Sequence, residues 1–265
     1  MIKVGVVGAL GKMGKEVVKA VLNAEDTQLV MAVDIMGVGS DIGIAAVGKE
    51  CCVLVEDDIE TAIKSKQPDV IVDFTQPSTI YEHVCLYMKN KVKSVIGTTG
   101  LKEEQISTLK QMSKENNVSC LIAPNFSTGA VLLMMFAKQA AKYFNNAEII
   151  ELHHNQKKDA PSGTAIKTAQ LMAEMNSDFT LGNCPETELI QGARGGSADA
   201  NIHIHSVRMP GYIASQEVIF GASGQILKLA HHTMERSCYM AGVLLAVRYV
   251  FDQNEFVYGL DNIMQ

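Results

Sequence analysis

Residues 151–165 read ELHHNQKKDAPSGTA and gather two histidines, two lysines and two carboxylates around a Pro-Ser-Gly-Thr turn. Histidine is the side chain most readily poised near neutral pH to give up a proton. His153 and Lys157 stand four residues apart, so a local turn or helix brings both to one ligand. Ser162, Gly163 and Thr164 precede a helical pattern, where free backbone N–H groups and two hydroxyls make an anion pocket. Lys157 and Lys158 add positive charge, and a substrate carboxylate suits both features. The chemistry is proton donation to a small, negatively charged substrate; joined to a hydride donor, it makes a reductase. The plainer alternative is a solvated polar loop capped by Ser162.

A hydride donor has a place at the other end of the chain. Gly8, Ala9, Leu10, Gly11, Lys12, Met13 and Gly14 follow an apolar run and open an amphipathic segment. In such a strand–turn–helix unit Gly8 permits the sharp turn, Gly11 lets a pyrophosphate approach the backbone, and Gly14 lets helix and strand pack closely. Asp34 ends the second strand twenty residues beyond Gly14, where a carboxylate accepts from a ribose 2′-hydroxyl. Ile35 and Met36 bring no cation to offset a 2′-phosphate, so NADH is expected over NADPH; Lys12 on the first helical turn can reach a phosphate and leaves NADPH tolerated. Three more segments, DFTQPST from Asp73, GTTG from Gly97 and APNFS from Ala123, follow predicted strands, and open α/β sheets place ligands at strand carboxyl ends.

These residues need a scaffold, and the pattern supplies one. Apolar runs at 2–7, 28–34, 69–74, 94–96 and 120–123 alternate with helical periodicity at 12–23 and 102–116, which implies parallel strands joined by right-handed crossovers. The expected fold is α/β, a Rossmann-like doubly wound parallel sheet, plus a second α+β domain with a mostly antiparallel sheet. In that second part helices are expected at 127–144 and 164–175, strands at 147–153, 202–207 and 215–220, and a polar loop at 176–187. A last apolar helix at 234–251 suits either domain. The expected division is 1–126, completed by 236–265, for the dinucleotide, and 127–235 for substrate binding and oligomerisation.

The composition, 47% hydrophobic and 20% charged with a formal net charge of -6, fits a globular protein and argues against a broad grip on nucleic acid or anionic membrane. No apolar run reaches the roughly 18 residues of a membrane-spanning helix, and a strand-like start replaces a secretory leader; the expected location is the cytoplasm. The six cysteines show no CxxC spacing and read as reduced thiols. His203 and His205 alternate with isoleucines and read as the polar face of a strand. His231 and His232 lack an acidic partner at metal-site spacing, so no metal is expected.

Taken in order, VGVVGALGKMG, DFTQPST, GTTG, APNFSTG and ELHHNQKKDAPSGTA, with His231, Arg236, Tyr239 and Gly242 beyond them, resemble the dihydrodipicolinate reductase family of the diaminopimelate route to lysine. The resemblance covers nearly the whole chain. It implies NAD(P)H-dependent reduction of a cyclic imine dicarboxylate, with hydride passing to ring C4 and His153 or a water protonating the neighbouring carbon. It implies that His153 is the general acid and that Lys157 and His154 hold or polarise the substrate. Ser162, Gly163 and Thr164 would bind a carboxylate, with Thr99 near the substrate. The nicotinamide cofactor, NADH or NADPH, would lie along Gly8 to Met13, Asp34, Gly97, Thr98, Thr99, Ala123, Pro124, Asn125 and Phe126. A homotetramer joined through the second domain's sheet is implied as well, with the last helix returning to the cofactor domain. Members of the family often carry Arg after the acidic residue of the second strand; Ile35 stands there, which again points to NADH. Two other readings keep parts of the pattern: another Rossmann-type reductase of a small amino or keto acid, or a non-catalytic NADH-sensing module.

Overall fold

The structure, a computed structural model, describes residues 1–180, 182 and 184–264; positions 181 and 183 of the expected polar loop and the last residue, 265, lie outside it. Two compact units result: residues 1–128 with 239–265, and residues 129–238. In chain order the first stretch is β1 (Ile2–Val7), α1 (Lys12–Asn23), β2 (Thr27–Val33), α2 (Ile42–Val47), β3 (Val55–Glu56), α3 (Ile59–Lys66), β4 (Val70–Asp73), α4 (Ile80–Lys89), β5 (Lys93–Ile96), α5 (Glu103–Asn116) and β6 (Cys120–Ile122). Then come α6 (Thr128–Ala140), β7 (Asn146–His153), α7 (Gly163–Ala173), β8 (Gly196–Ser197), β9 (His203–Arg208), β10 (Ala214–Ala222) and β11 (Gln225–Thr233). A single 3₁₀ turn at Arg236–Tyr239 leads into α8 (Met240–Asp252) and β12 (Phe256–Tyr258).

The first unit holds a seven-stranded sheet in the order β12-β6-β5-β4-β1-β2-β3, with every neighbouring pair parallel. Strands covered on both faces need apolar side chains throughout, and β4 (VIVD) is buried at all four positions. Chain order reverses direction between β1 and β4, so the carboxyl ends of these two strands flank the crevice where such sheets take ligands. Asp73, wholly buried at the end of β4, receives hydrogen bonds from the Thr75 amide at 2.9 Å and hydroxyl at 2.6 Å and from the Tyr87 hydroxyl at 2.7 Å, with His83 Nδ1 at 3.0 Å. That network fixes the loop leaving β4. Burial, then the adjacent Asp73, pushes the Tyr87 phenol well above its ordinary range.

The last helix belongs to the first unit. It starts at Met240, six residues later than its apolar pattern suggested, because the 3₁₀ turn comes first. Gly242 sits so close to the backbone after β6 that an added Cβ would lie 2.2 Å from the Phe126 carbonyl oxygen. Strand β12, outside the elements expected from the sequence, extends the sheet beyond β6.

The second unit's sheet runs β11-β10-β7-β9-β8. Three of its four pairings are antiparallel and β7 pairs with β9 in parallel, which makes it a mostly antiparallel sheet of the kind expected. Its core sets Ile149, Val218 and Phe220 against Leu133, Ala137, Ala169 and Met172 from α6 and α7. Helix α6 ends at Ala140, short of 144, in a tightening turn closed by Tyr143 N–H on the Ala140 carbonyl at 2.9 Å. His203 is 8% exposed and so departs from the polar face expected for it, with Nδ1 at 2.5 Å from the Arg194 carbonyl; His205 Nε2 lies 2.8 Å from Glu148. Both histidines are engaged within the unit. Among the described residues no helix is long and apolar enough to cross a membrane.

Candidate active site

The turn after β1 assigns different work to residues that the sequence grouped together. Gly8 takes a left-handed φ of 76°, and an added Cβ would lie 2.7 Å from the Phe74 carbonyl oxygen. Gly14 is tighter still, since its Cβ would meet the Gly8 oxygen at 2.0 Å. The amides of Gly8 and Ala9 both donate to the Val33 carbonyl, and Gly11 donates to Gly8. Leu10 donates to Asp34 Oδ2 at 2.8 Å, and Met36 donates to the other oxygen at 3.1 Å. Asp34 therefore staples the glycine turn, a role beyond the ribose contact expected of it and one that spacing alone does not show. With those amides in use, the Lys12, Met13 and Gly14 N–H groups at the opening of α1 are available to an anion.

The GTTG and APNFS segments come together beside this turn's sheet edge. Thr98, Thr99, Ile122, Pro124 and Tyr258 line one small concavity. Tyr258 is its unforeseen member, because β12 was not expected. Gly97 lies under the Phe74 ring, where an added Cβ would be 2.0 Å from a ring carbon, and Phe74 meets Phe126 at 5.8 Å between centroids. Ala123 is buried and donates to the Ile96 carbonyl, while Asn125 uses its side-chain oxygen to accept from Ser127 N–H at 2.8 Å. The Thr98 hydroxyl is buried without a partner, a polar group facing an unmet need. A cradle that excludes Cβ atoms, three free helix-opening amides, a fixed carboxylate and an unmatched hydroxyl fit a dinucleotide.

In the second unit β7 delivers His153 at its last position. Strand side chains two apart share a face, and Glu151 uses that relation to meet His153 Nδ1 in a hydrogen bond. Glu151 has no exposed side-chain surface, and Arg208 on β9 grips it with both terminal nitrogens, at 2.7 and 3.0 Å. Burial opposes charge on Glu151, but hydrogen bonds from His153, Arg208 and Ser206 prevail and hold its carboxyl at about 2. The same Arg208 donates to the Asp159 carbonyl at 2.8 Å, just ahead of the Ser162 turn. Neither Glu151 nor Arg208 was singled out from the sequence. The two-residue offset from His153 was the available signal for Glu151; Arg208 stands 57 residues away from it, and only the β7–β9 pairing joins them.

The other expected residues occupy distinct positions. Ser162 is the N-cap of α7, accepting from Ala165 N–H at 3.2 Å, so the capping alternative and the pocket reading both hold a part of it: its own O–H remains a donor. An added Cβ at Gly163 meets nothing within 4 Å, so the start of α7 opens onto free space. Thr164 follows on the first turn, and its carbonyl accepts from the Thr168 hydroxyl at 2.8 Å. Lys157 Nζ lies 2.7 Å from both oxygens of Asp159 and is not free beside His153. His154 turns its Nδ1 to the Gln156 amide at 3.2 Å within a local turn closed by Lys157 N–H. Thr99, expected near the substrate, belongs to the first unit. Burial, then the nearby His232, lowers the His231 ring below its ordinary value. No group of three or more His, Cys, Asp or Glu among the described residues converges on a metal position.

Comparison with known proteins covers both units. Residues 2–126 match the family described as dihydrodipicolinate reductase, N-terminus, and residues 129–264 match dihydrodipicolinate reductase, C-terminus. The chain is 50% identical to the 4-hydroxy-tetrahydrodipicolinate reductase of Gloeothece citriformis over 99% of its own length and 98% of the relative's. It is 52% identical to the enzyme of that name from a Picosynechococcus species, over 97% and 96%. A dipicolinate-bound dihydrodipicolinate reductase from Paenisporosarcina sp. TG-14 superposes with a TM-score of 0.91 at 43% identity, covering 100% of both chains. The chain belongs to the dihydrodipicolinate reductase family, whose members are nicotinamide-dependent oxidoreductases.

Proposed function

We propose that the chain reduces the cyclic imine dicarboxylate derived from 4-hydroxy-tetrahydrodipicolinate to tetrahydrodipicolinate, with His153 giving the proton. The observation that carries these roles is Arg208, whose guanidinium touches both the carboxylate behind His153 and the Asp159 carbonyl before the α7 opening. It gathers a proton donor and an anion-binding helix start around one side chain. A bound nicotinamide supplies the hydride. Lys12, Met13 and Asp34 hold its phosphates and ribose, with Gly97, Thr98, Thr99, Ala123, Pro124, Asn125 and Phe126 around the remainder. Gly163 and Thr164 N–H groups and the Ser162 hydroxyl take one substrate carboxylate. Lys157 takes the other by exchanging Asp159 for it, and His154 lies alongside. His153 then places its proton on the carbon next to the one receiving hydride.

NADH is the preferred donor on this reading. Asp34 faces the ribose hydroxyls, and its next two residues, Ile35 at 87% exposure and Met36 at 67%, offer a 2′-phosphate no positive charge. The enzyme works in the cytoplasm, in keeping with six free cysteines, and assembles as a homotetramer, for which edge strand β11 with Ile226 76% exposed supplies a surface. Measurement of mass in solution tests the assembly.

The decisive experiment follows NADH and NADPH oxidation with substrate generated in place by the preceding synthase from pyruvate and aspartate semialdehyde. Wild type should turn over with both and show the higher kcat/KM for NADH. His153→Ala should lose about 100-fold or more in kcat while NADH affinity stays within about 3-fold, because a general acid acts in the transition state. Undiminished turnover in that variant removes His153 from the chemistry. Turnover on an open-chain amino or keto acid and none on the cyclic imine moves the protein to another reductase class.

A further inference from the structure

The buried pair behind His153 is a poor device for stability alone. Glu151 has no exposed side-chain surface, and Arg208 leaves its buried Nε without a partner. Ion pairs taken from water in this way seldom outperform well-packed apolar side chains. Their geometry, however, constrains one specific proton. An ionised carboxylate only accepts hydrogen bonds, so the contact between Glu151 Oε2 and His153 Nδ1 requires a proton on Nδ1. The second ring nitrogen is then the one that varies its proton, and a histidine's tautomer is set by the partner of its other nitrogen.

We infer that Glu151 and Arg208 are positioning residues for the reduction: Arg208 keeps Glu151 ionised, and Glu151 fixes the His153 ring so that Nε2 gives its proton to the substrate and Nδ1 keeps its own. This rests on the reading of His153 as proton donor. The step is balanced simply. The imidazolium starts with N–H at both nitrogens; the Nε2–H bond breaks and leaves its pair on nitrogen, a C–H bond forms with the pair shifted onto the substrate carbon by hydride addition to its neighbour, and the ring is left neutral with its Nδ1 proton still shared with Glu151. Water reprotonates Nε2 after product leaves, and no further oxidant or reductant enters. Arg208 adds a second constraint, because its hydrogen bond to the Asp159 carbonyl ties the acid to the segment that carries Lys157 and leads to Ser162. Two bonds to Glu151 and one to Asp159 use the planar fork of arginine, which lysine lacks.

The test combines a spectroscopic signature with a kinetic split. Imidazole ¹⁵N shifts of the neutral His153 ring, assigned by their loss in His153→Ala, should show the proton on Nδ1 in wild type. In Glu151→Gln the ring should move to a mixture or to the Nε2–H tautomer. The same variant should lose about 30- to 100-fold in kcat, within the usual range for a misdirected general acid, with substrate KM and NADH affinity changed by less than about 3-fold. Glu151→Asp, which keeps the charge, should recover at least about 5-fold of that loss. A wild-type ring carrying its proton on Nε2 overturns the proposal, as does a Glu151→Gln enzyme with wild-type tautomer and kcat. Equal losses in the Gln and Asp variants with the tautomer unmoved also overturn it, since they show a packing role. If Glu151→Gln fails to fold, the wild-type tautomer alone decides. Failure of the proton-donor reading is distinguishable: His153→Ala then keeps its turnover, whatever the ring shifts show.

Discussion

The two units build their sites from opposite materials. In the first, the cradle after β1 is made of backbone: Gly8 and Gly14 exist to let main chain approach main chain, and most amides of the turn are already engaged. In the second, the working parts are side chains drawn from two strands and a loop, held by charge: Glu151, Arg208, His153 and the Lys157–Asp159 pair. A backbone site is rigid and intolerant of any added atom. A side-chain site keeps open space at its center of action, with Gly163 facing no atom within 4 Å. One glycine in each site exposes the contrast.

Gly14→Ala and Gly163→Ala should therefore part company sharply, and this is the largest effect expected. At Gly14 the new Cβ meets the Gly8 oxygen at 2.0 Å and the Ala9 Cα at 2.8 Å, both backbone. The variant should lose about 3 kcal/mol in urea unfolding, at the upper end of overpacking effects, and at least about 30-fold in NADH affinity. At Gly163 the same methyl group relieves backbone entropy in a helix and should leave stability unchanged or raise it by about 0.5 kcal/mol. Its effect should appear as a raised substrate KM, because on the proposed reading the methyl group fills the open space at the start of α7 where a substrate carboxylate is to sit. Equal destabilisation by both substitutions would erase the distinction between the two sites.

The contrast also explains what could be read in advance. Glycine spacing is a local signal, so GALGKMG announced its strand, turn and helix, and α1 spans Lys12–Asn23 as the periodicity indicated. The strand ends carrying DFTQPST, GTTG and APNFS were legible for the same reason, since short apolar runs stop where polar loops begin. The second site is legible only in its contiguous half. His153, Lys157 and Ser162 share one stretch, but Arg208 reaches Glu151 across a strand pairing with 57 residues between them, and no spacing rule announces that. The hydrogen bond from Leu10 to Asp34 was hidden in a similar way, through a tertiary contact 24 residues apart. Strand β12 was not among the expected elements, and its place comes from pairing with β6 rather than from a local pattern. Where α8 packs was undecided in sequence because an apolar helix matches any apolar face; the close approach of Gly242 to Phe126 settles it for the first unit.

Charge in the second site gives a pH test that the first site does not share. The Glu151 carboxyl lies at about 2 in the fold against an ordinary 4.5, a gap corresponding to about 2 kcal/mol of stability after allowance for solvent near its partners. Because the folded value is the lower one, this contribution is complete above about 4.5 and disappears as pH falls toward about 2. At neutral pH Glu151→Gln should be less stable than wild type by about 2 kcal/mol or somewhat more, since Arg208 is left without its countercharge. Urea midpoints for the two proteins should converge as pH is lowered below the ordinary carboxyl range. Gly14→Ala, a steric lesion, should keep its deficit across the same range. A Glu151→Gln deficit that does not vary with pH would mean that shape, and not charge, sets this site.

The smallest effect separates two adjacent lysines. Lys157 is tied to Asp159 at 2.7 Å on both oxygens and is 20% exposed, whereas Lys158 follows it in the same loop with no ion pair among the described residues. A lysine already held beside a carboxylate is directed toward one place, and a substrate carboxylate is chemically the same partner as Asp159. Exposed ion pairs contribute little to stability, so exchanging one carboxylate for another costs the fold almost nothing. Lys157→Ala should raise substrate KM and lower kcat, about 10-fold in kcat/KM, while Lys158→Ala should stay within about 2-fold. Unfolding midpoints should hardly move in either case. If the two variants lose equally, the loop supplies only diffuse positive charge; the losses should then shrink together as salt is raised, whereas a specific contact at Lys157 keeps its margin over Lys158.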